Sequence, residues 1–309
     1  MSFTADVKDE IARIPAECSH CDKAVLAALV RIEGTLVFSG KGRYGLEFAS
    51  DVAGAARLAV RLLHEIYQLQ TSVTMRRSVL HKTPNYLVEV PTQPNLHEAL
   101  EDLGILNPEG GLELGIKDSL VAKNCCAAAY LRGAFLGSGF ISNPKGDYHF
   151  EITVENEPLA LGLVDLLNRK GIKARTMLRR NTYMVYLKSG SDIADFLSFA
   201  GAHASALKFE EARTLKSVRN DVNRGINAEF ANQQKASNAA VDQVFAMRKV
   251  VDHYGLANIP AALQEVIRLR VANPDISLKE LGEMAQPPLS KSAVYHRIRR
   301  IEQMAADIR

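Results

Sequence analysis

Cysteine is scarce in this chain: four residues in 309, at positions 18, 21, 125 and 126. That is too few for a disulfide scaffold. No apolar run approaches the roughly 20 residues that a membrane-spanning helix requires. The opening stretch, MSFTADVKDEIARIPAE, mixes acids and bases without an apolar h-region, so no secretory signal is read there and the cytoplasm is the expected compartment. A Gly-rich loop placed after a strand to cradle phosphate is lacking too, which leaves an ATP or NAD site unsupported. Charge of one sign is not in large excess: the formal net charge is +3, with 47% hydrophobic and 24% charged residues, the balance of an ordinary globular protein. The excess is unevenly placed. From residue 206 onward 16 Lys and Arg face 12 Asp and Glu, a net +4, while the first 205 residues carry −1. An anionic partner would therefore meet the C-terminal part.

What is present is a repetition. AVLAALVRIEG (24–34) lies on AYLRGAFLGSG (129–139) at an offset of 105, setting Ala24 against Ala129, Ala28 against Gly133 and Gly34 against Gly139. Further on, Leu62 and Leu63 match Leu166 and Leu167, Arg76 and Arg77 match Arg179 and Arg180, and NYLVEV (85–90) parallels TYMVYL (182–187). An offset this stable indicates a duplicated unit of about 100 residues. In the second copy, 121–137 reads as a helix, and DYHFEITVE alternates with Tyr148, Phe150, Ile152 and Val154 on one face. Glu157-Pro158 opens a helix to about Gly171, two strands follow at 173–180 and 182–188, and a helix runs from Ser191 to Ala200. The unit is α-β-β-α-β-β-α.

Ala129, Gly133 and Gly137 recur every four residues on one helical face, although each Gly costs a helix interior about 1 kcal/mol relative to Ala. Two copies need a way to join, and small-residue faces let two helices approach backbone to backbone, Ala129, Gly133 and Gly137 against Ala24 and Ala28. LAALVRIEG and LRGAFLGSG resemble the LAGLIDADG motif of homing endonucleases, in which two such helices join αββαββα halves. The resemblance implies a metal-binding acid near each helix end, here Glu33 and Ser138. Metal-assisted cleavage needs converging carboxylates, and Ser138 supplies none. The strand face carrying Asp147, His149, Glu151, Thr153 and Glu155 is also a poor surface for phosphate. Arg76, Arg77, Lys173, Arg175, Arg179 and Arg180 admit two readings, a basic edge or solvated strand ends.

From Leu207 to Lys235 the chain is polar, with Gly225 as an expected breaker, and reads as a linker with helical stretches; Arg219, Arg224 and Lys235 are solvated there or touch phosphate. A helix is expected from Ser237 to Tyr254, ended by Gly255, and a second from Pro260 to before Pro274. Ser277 and Glu280 have the spacing of a capping box, QPPL is a stiff turn, and Ser290 caps a last helix. Two short helices about a tight turn, the second basic, describe a helix-turn-helix. In the last helix Val294, Ile298, Ile301 and Ala305 share one stripe, with Ser292, Tyr295, His296 and Arg299 opposite and Lys291, Arg297 and Arg300 at the margins. Short polar groups suit base edges, and cations suit phosphates. Lys279 of the preceding helix joins the expected DNA-binding set.

The order of parts resembles the WhiA family of bacterial transcription regulators over nearly the whole chain. RNDVNRGINAEFANQQK, LKELGEMAQPPLSKSAVYHRIRRI and YLRGAFLGSGFISNP carry the resemblance most specifically. It implies an α+β chain: a duplicated LAGLIDADG-like domain at 1–205 (repeats about 20–115 and 119–205), a linker at 206–236 and an all-α helix-turn-helix domain at 237–309. It further implies promoter binding, nucleoid association, roles in cell division and, in filamentous actinobacteria, sporulation, loss of nuclease activity, and a WhiB-like iron–sulfur partner there. No enzyme activity and no cofactor are expected. Two competing readings are a Mg²⁺-dependent endonuclease using Glu33 and a protein-interaction adaptor. Cys18 and Cys21 have the spacing of half a zinc site, but with His20 too close in sequence and Cys125 and Cys126 inside another helix the expectation is buried or idle thiols and no metal. His64, His81, His97 and His203 show no spacing that suggests a base or a metal.

Overall fold

In the computed structural model, which describes residues 2–38, 40, 44–77 and 84–308, the chain divides into two units, Met1–Lys216 and Ser217–Arg309. His81 lies outside the described residues. The first unit begins with α1 (Phe3–Ile11), and the first repeat then runs α2 (Ser19–Glu33), β1 (Gly34–Phe38), β2 (Tyr44–Ser50), α3 (Ala53–Tyr67), β3 (Ser72–Arg77), β4 (Pro84–Val90) and α4 (Leu96–Asp102). After the short α5 (Asp118–Val121) the second runs α6 (Asn124–Ser138), β5 (Gly139–Ile141), β6 (Phe150–Val154), α7 (Glu157–Asn168), β7 (Ala174–Arg179), β8 (Thr182–Leu187) and α8 (Gly190–Phe199). Both sheets are antiparallel and share one topology, β1-β2-β4-β3 and β5-β6-β8-β7. The expected αββαββα order is observed in both copies.

The α2 and α6 helices each span 15 residues and each ends at a Gly that opens a strand. Ala24, Ala28 and Ala129 are fully buried where the two helices meet. A methyl placed on Gly133 would lie 2.2 Å from the Val25 carbonyl oxygen and 2.9 Å from the Ala28 Cβ, and one on Gly137 would lie 3.0 Å from Ile32. Backbone-to-backbone approach is therefore the reason for the glycines. Below the seam the alternation in β6 buries Phe150, Ile152 and Val154, and Phe150 packs edge-on against Phe196 of α8. Asn156 caps α7 through its side chain, with Pro158 in the first turn as the sequence requires.

Two features depart from the sequence reading. The first is not anticipated there at all: α1 docks on the second repeat, Thr4 Oγ1 donating to the Ile141 carbonyl at 2.6 Å. Its Glu10 accepts from the backbone N–H groups of Ala204 and Ser205 at 2.8 and 2.9 Å, closing the open donors at the start of α9 (His203–Tyr254). The second departure is α9 itself, one continuous helix of 52 residues in place of a linker and a later helix. Gly225 does not break it, because a single exposed Gly costs only about 1 kcal/mol, which the flanking turns absorb. The division between units, after Lys216, falls inside this helix and within the 206–236 segment expected as a linker.

In the second unit, Gly255, with φ of 76°, ends α9, and α10 (Ala261–Ala272), α11 (Leu278–Glu283) and α12 (Lys291–Asp307) follow. Met247 and Val250 of α9, Leu263, Val266 and Ile267 of α10, Leu281 of α11, and Val294, Ile298 and Ile301 of α12 form their common core.

Candidate nucleic-acid interface

Local chemistry fixes where α12 begins. Ser277 and Glu280 complete a reciprocal capping box at the start of α11, the Ser277 N–H donating to the Glu280 carboxylate at 2.8 Å and the Glu280 N–H to the Ser277 hydroxyl at 3.3 Å. These bonds, the backbone one foremost, hold the Glu280 carboxyl below the usual glutamate value. Gly282 lets the turn close: the Leu289 N–H donates to its carbonyl at 2.8 Å, and a methyl at Gly282 would stand 2.3 Å from the Leu289 carbonyl oxygen. The Ser290 hydroxyl then accepts from the Ala293 N–H and caps α12.

Two buried or tethered cations that sequence reasoning missed brace this arrangement. Arg270 of α10 is buried, donating to Gln243 at 3.0 Å and to the Ile276 carbonyl at 2.6 Å, so it holds α9 and the loop before α11 together. Lys249 of α9 donates to the Ala305 and Ile308 carbonyls at 3.0 and 2.9 Å, a cation at the α12 C-terminus where the helix dipole favours one. Their signal in sequence was an Arg inside an apolar helical stripe and a Lys at helical spacing from core residues.

With Val294, Ile298, Ile301 and Ala305 buried, the opposite face of α12 presents Lys291, Ser292, Tyr295, His296, Arg299 and Arg300, all exposed. Lys291 and Arg300 make no ion pair among the described residues. Arg299 reaches Glu302 at 3.7 Å across one helical turn, and exposed Lys279 reaches Glu283 at 3.8 Å, weak pairs that a phosphate can displace. Arg297 is a correction. It is half-buried, donates to the Ala262 carbonyl at 3.2 Å and lies 3.7 Å from Glu265, so it braces α12 against α10 instead of flanking the polar face.

The endonuclease positions look different. Glu33, the last residue of α2, is half-buried, and burial pushes its carboxyl up despite the nearby Lys8 ammonium, with Asp51 raising it further. Lys8 is buried and donates to the Gly137 carbonyl at 2.8 Å, the next-to-last residue of α6. A lysine thus supplies the positive charge between the two helix ends. The Ser138 hydroxyl is engaged by β6, donating to the Thr153 carbonyl at 2.6 Å and accepting from the Thr153 N–H at 3.1 Å. Glu33 packs beside Gly137, the residue before Ser138: a methyl on Gly137 would lie 3.3 Å from the Glu33 Cγ. On the sheet of the first repeat, Glu47 stands directly across from Glu89, and on the second Glu151 holds His149 at 2.8 Å. Arg76, Lys173, Arg175, Arg179 and Arg180 are exposed.

Cys21 and Cys126 are buried as expected, but the four thiols also come together. Although Cys125 and Cys126 sit inside a second helix, the α2–α6 seam carries them to Cys18 and Cys21, and all four sulfurs lie within 4.8 Å of one another. Among the described residues this is the group of three or more His, Cys, Asp or Glu side chains close enough to share an ion. The helix that separates the two pairs in sequence does not separate them in space.

Three family models match this chain: a WhiA N-terminal LAGLIDADG-like domain over residues 19–106, a WhiA LAGLIDADG-like domain over 127–219 and a WhiA C-terminal HTH domain over 222–305. Among curated relatives, a probable cell division protein WhiA of Desulforamulus reducens is 42% identical over 311 residues, covering 100% of this chain and 97% of that protein. Another of the same name, from Desulfitobacterium hafniense, is 44% identical, covering 99% and 96%. The fold matches full-length WhiA from Thermotoga maritima with a TM-score of 0.61 at 24% identity, over 99% of this chain and 98% of that one. A second structure, the N-terminal LAGLIDADG domain of WhiA, matches 65% of this chain and 90% of its own with a TM-score of 0.52. Duplicated LAGLIDADG-like repeats joined to a helix-turn-helix, with identity above 40% along the whole length, make this chain a member of the WhiA family.

Proposed function

We propose that this protein is a sequence-specific DNA-binding transcription regulator that reads the major groove with α12 and does not cut DNA. One observation carries the reading. A helix anchored on one side by a shared core offers, on its other side, Ser292, Tyr295, His296 and Arg299 for base edges, with Lys291 and Arg300 free for phosphates. Lys279 of α11 adds a phosphate contact. The acidic cross-strand pair Glu47–Glu89 and the Lys8 ammonium beside Glu33 count against DNA cleavage by the first unit. The names of the relatives support a role in controlling cell division; the sporulation role and the WhiB-like iron–sulfur partner rest on family resemblance alone. No described helix is long and apolar enough to cross a membrane, and the proposed site of action is the cytoplasm, at the nucleoid.

Fluorescence anisotropy with full-length protein and promoter fragments tests the reading. Affinity should fall steeply with rising salt, as phosphate neutralisation requires. Supercoiled plasmid incubated with Mg²⁺ or Mn²⁺ should remain intact. Cleavage that Glu33→Gln abolishes would restore the endonuclease reading. Absence of salt-sensitive DNA binding, with a protein partner captured instead, would favour the adaptor.

A further inference from the structure

We propose that Cys18, Cys21, Cys125 and Cys126 form a tetrathiolate site for one zinc ion, which clamps the N-terminal ends of α2 and α6 and thereby fastens the two repeats to each other. The geometry selects a single ion. A tetrahedral Zn–S distance of about 2.3 Å puts neighbouring sulfurs about 3.8 Å apart. Here Cys18 Sγ lies 3.4 Å from Cys21 Sγ and 3.9 Å from both Cys125 Sγ and Cys126 Sγ, and no pair exceeds 4.8 Å. A cage of multiple irons and sulfides would hold its cysteines farther apart, whereas four soft thiolates at this spacing fit one tetrahedral ion, and zinc needs no redox partner there. Cys21 and Cys126 are buried and Cys18 and Cys125 half-buried, so the group is shielded without being sealed.

The surroundings suit four thiolates. Cys18 is the N-cap of α2 and Cys21 its third residue, while Cys125 and Cys126 are the second and third residues of α6. Neither helix has a side-chain cap, so the positive ends of two helix dipoles converge on the sulfurs. The buried Arg132 guanidinium interacts electrostatically with Cys21 and Cys125. On binding, each thiol releases its proton to solvent and donates a lone pair to Zn²⁺, with no change of oxidation state.

Full-length protein purified without added chelator or affinity-tag histidines should contain one zinc per chain by elemental analysis. Its four thiols should resist Ellman's reagent until a chelator is added. Apo protein titrated with Co²⁺ should show the intense visible bands of a tetrahedral thiolate complex, saturating at one equivalent. Cys125→Ser with Cys126→Ser should lose those bands and at least tenfold in Zn²⁺ affinity. Should that double variant fail to fold, the Co²⁺ titration of the wild type decides alone. Substoichiometric zinc with freely reacting thiols, a disulfide between any of the four, or an iron-loaded chromophore would each overturn the assignment.

Discussion

Gly133→Ala tests the inter-repeat seam where it is tightest. The added methyl would lie 2.2 Å from the Val25 carbonyl oxygen, more than an ångström inside ordinary contact, and 2.9 Å from the Ala28 Cβ. The obstacle is backbone on the facing helix, so α2 and α6 must separate, and every dispersion contact along the buried seam weakens. Overpacking of this kind costs up to about 3 kcal/mol, offset by the roughly 1 kcal/mol that Ala gains over Gly in a helix. A net loss of about 2 kcal/mol corresponds to a melting point roughly 4–8 °C lower for a unit of this size. Gly225→Ala is the control, since its Cβ meets nothing within 4 Å in mid-α9; it should stabilise by up to about 1 kcal/mol. The chain has no tryptophan, so far-ultraviolet circular dichroism is the readout. A Gly133→Ala protein that melts at or above the wild type would refute the close-packed seam.

Arg299→Ala should cost about 1–3 kcal/mol on the preferred site and relax base preference, whereas Lys291→Ala or Arg300→Ala should weaken all sequences alike and reduce the salt slope by about one, both read by anisotropy across base-substituted duplexes. Arg297→Ala should lower the melting point of the second unit more than it alters base preference, because its partners are Ala262 and Glu265. Ser277→Ala should cost about 1 kcal/mol through loss of the cap. The depressed Glu280 carboxyl stabilises the fold above its unfolded value near pH 4, and that contribution is lost as pH falls through its lower folded value. Acid melts of wild type should therefore show a loss in that window that Glu280→Gln lacks.

Much of this was legible because duplication and helix chemistry are local. The offset of 105 aligned two helices whose shared small-residue face then dictated their contact, and capping residues fixed the starts of α11 and α12. What local sequence could not supply was the identity of distant partners. Arg297 looks like a phosphate contact on a helical wheel, but the Ala262 carbonyl and Glu265, 35 and 32 positions earlier, turn it inward. The long α9 was misread because Gly225 counted as a stop, although an exposed glycine is a modest penalty inside 52 helical residues. The thiols are the instructive case. Cys21 and Cys126 differ by the repeat offset itself, so the alignment that predicted the seam already set them on matching turns. Reading each pair within its own helix concealed that.

Genome-wide footprinting of full-length wild type beside a Lys291→Ala, Arg299→Ala, Arg300→Ala variant bears most directly on the account. All three side chains are exposed, so the fold should persist. The account predicts discrete protected sites for the wild type that vanish in the variant. Unchanged sites in the variant would contradict it.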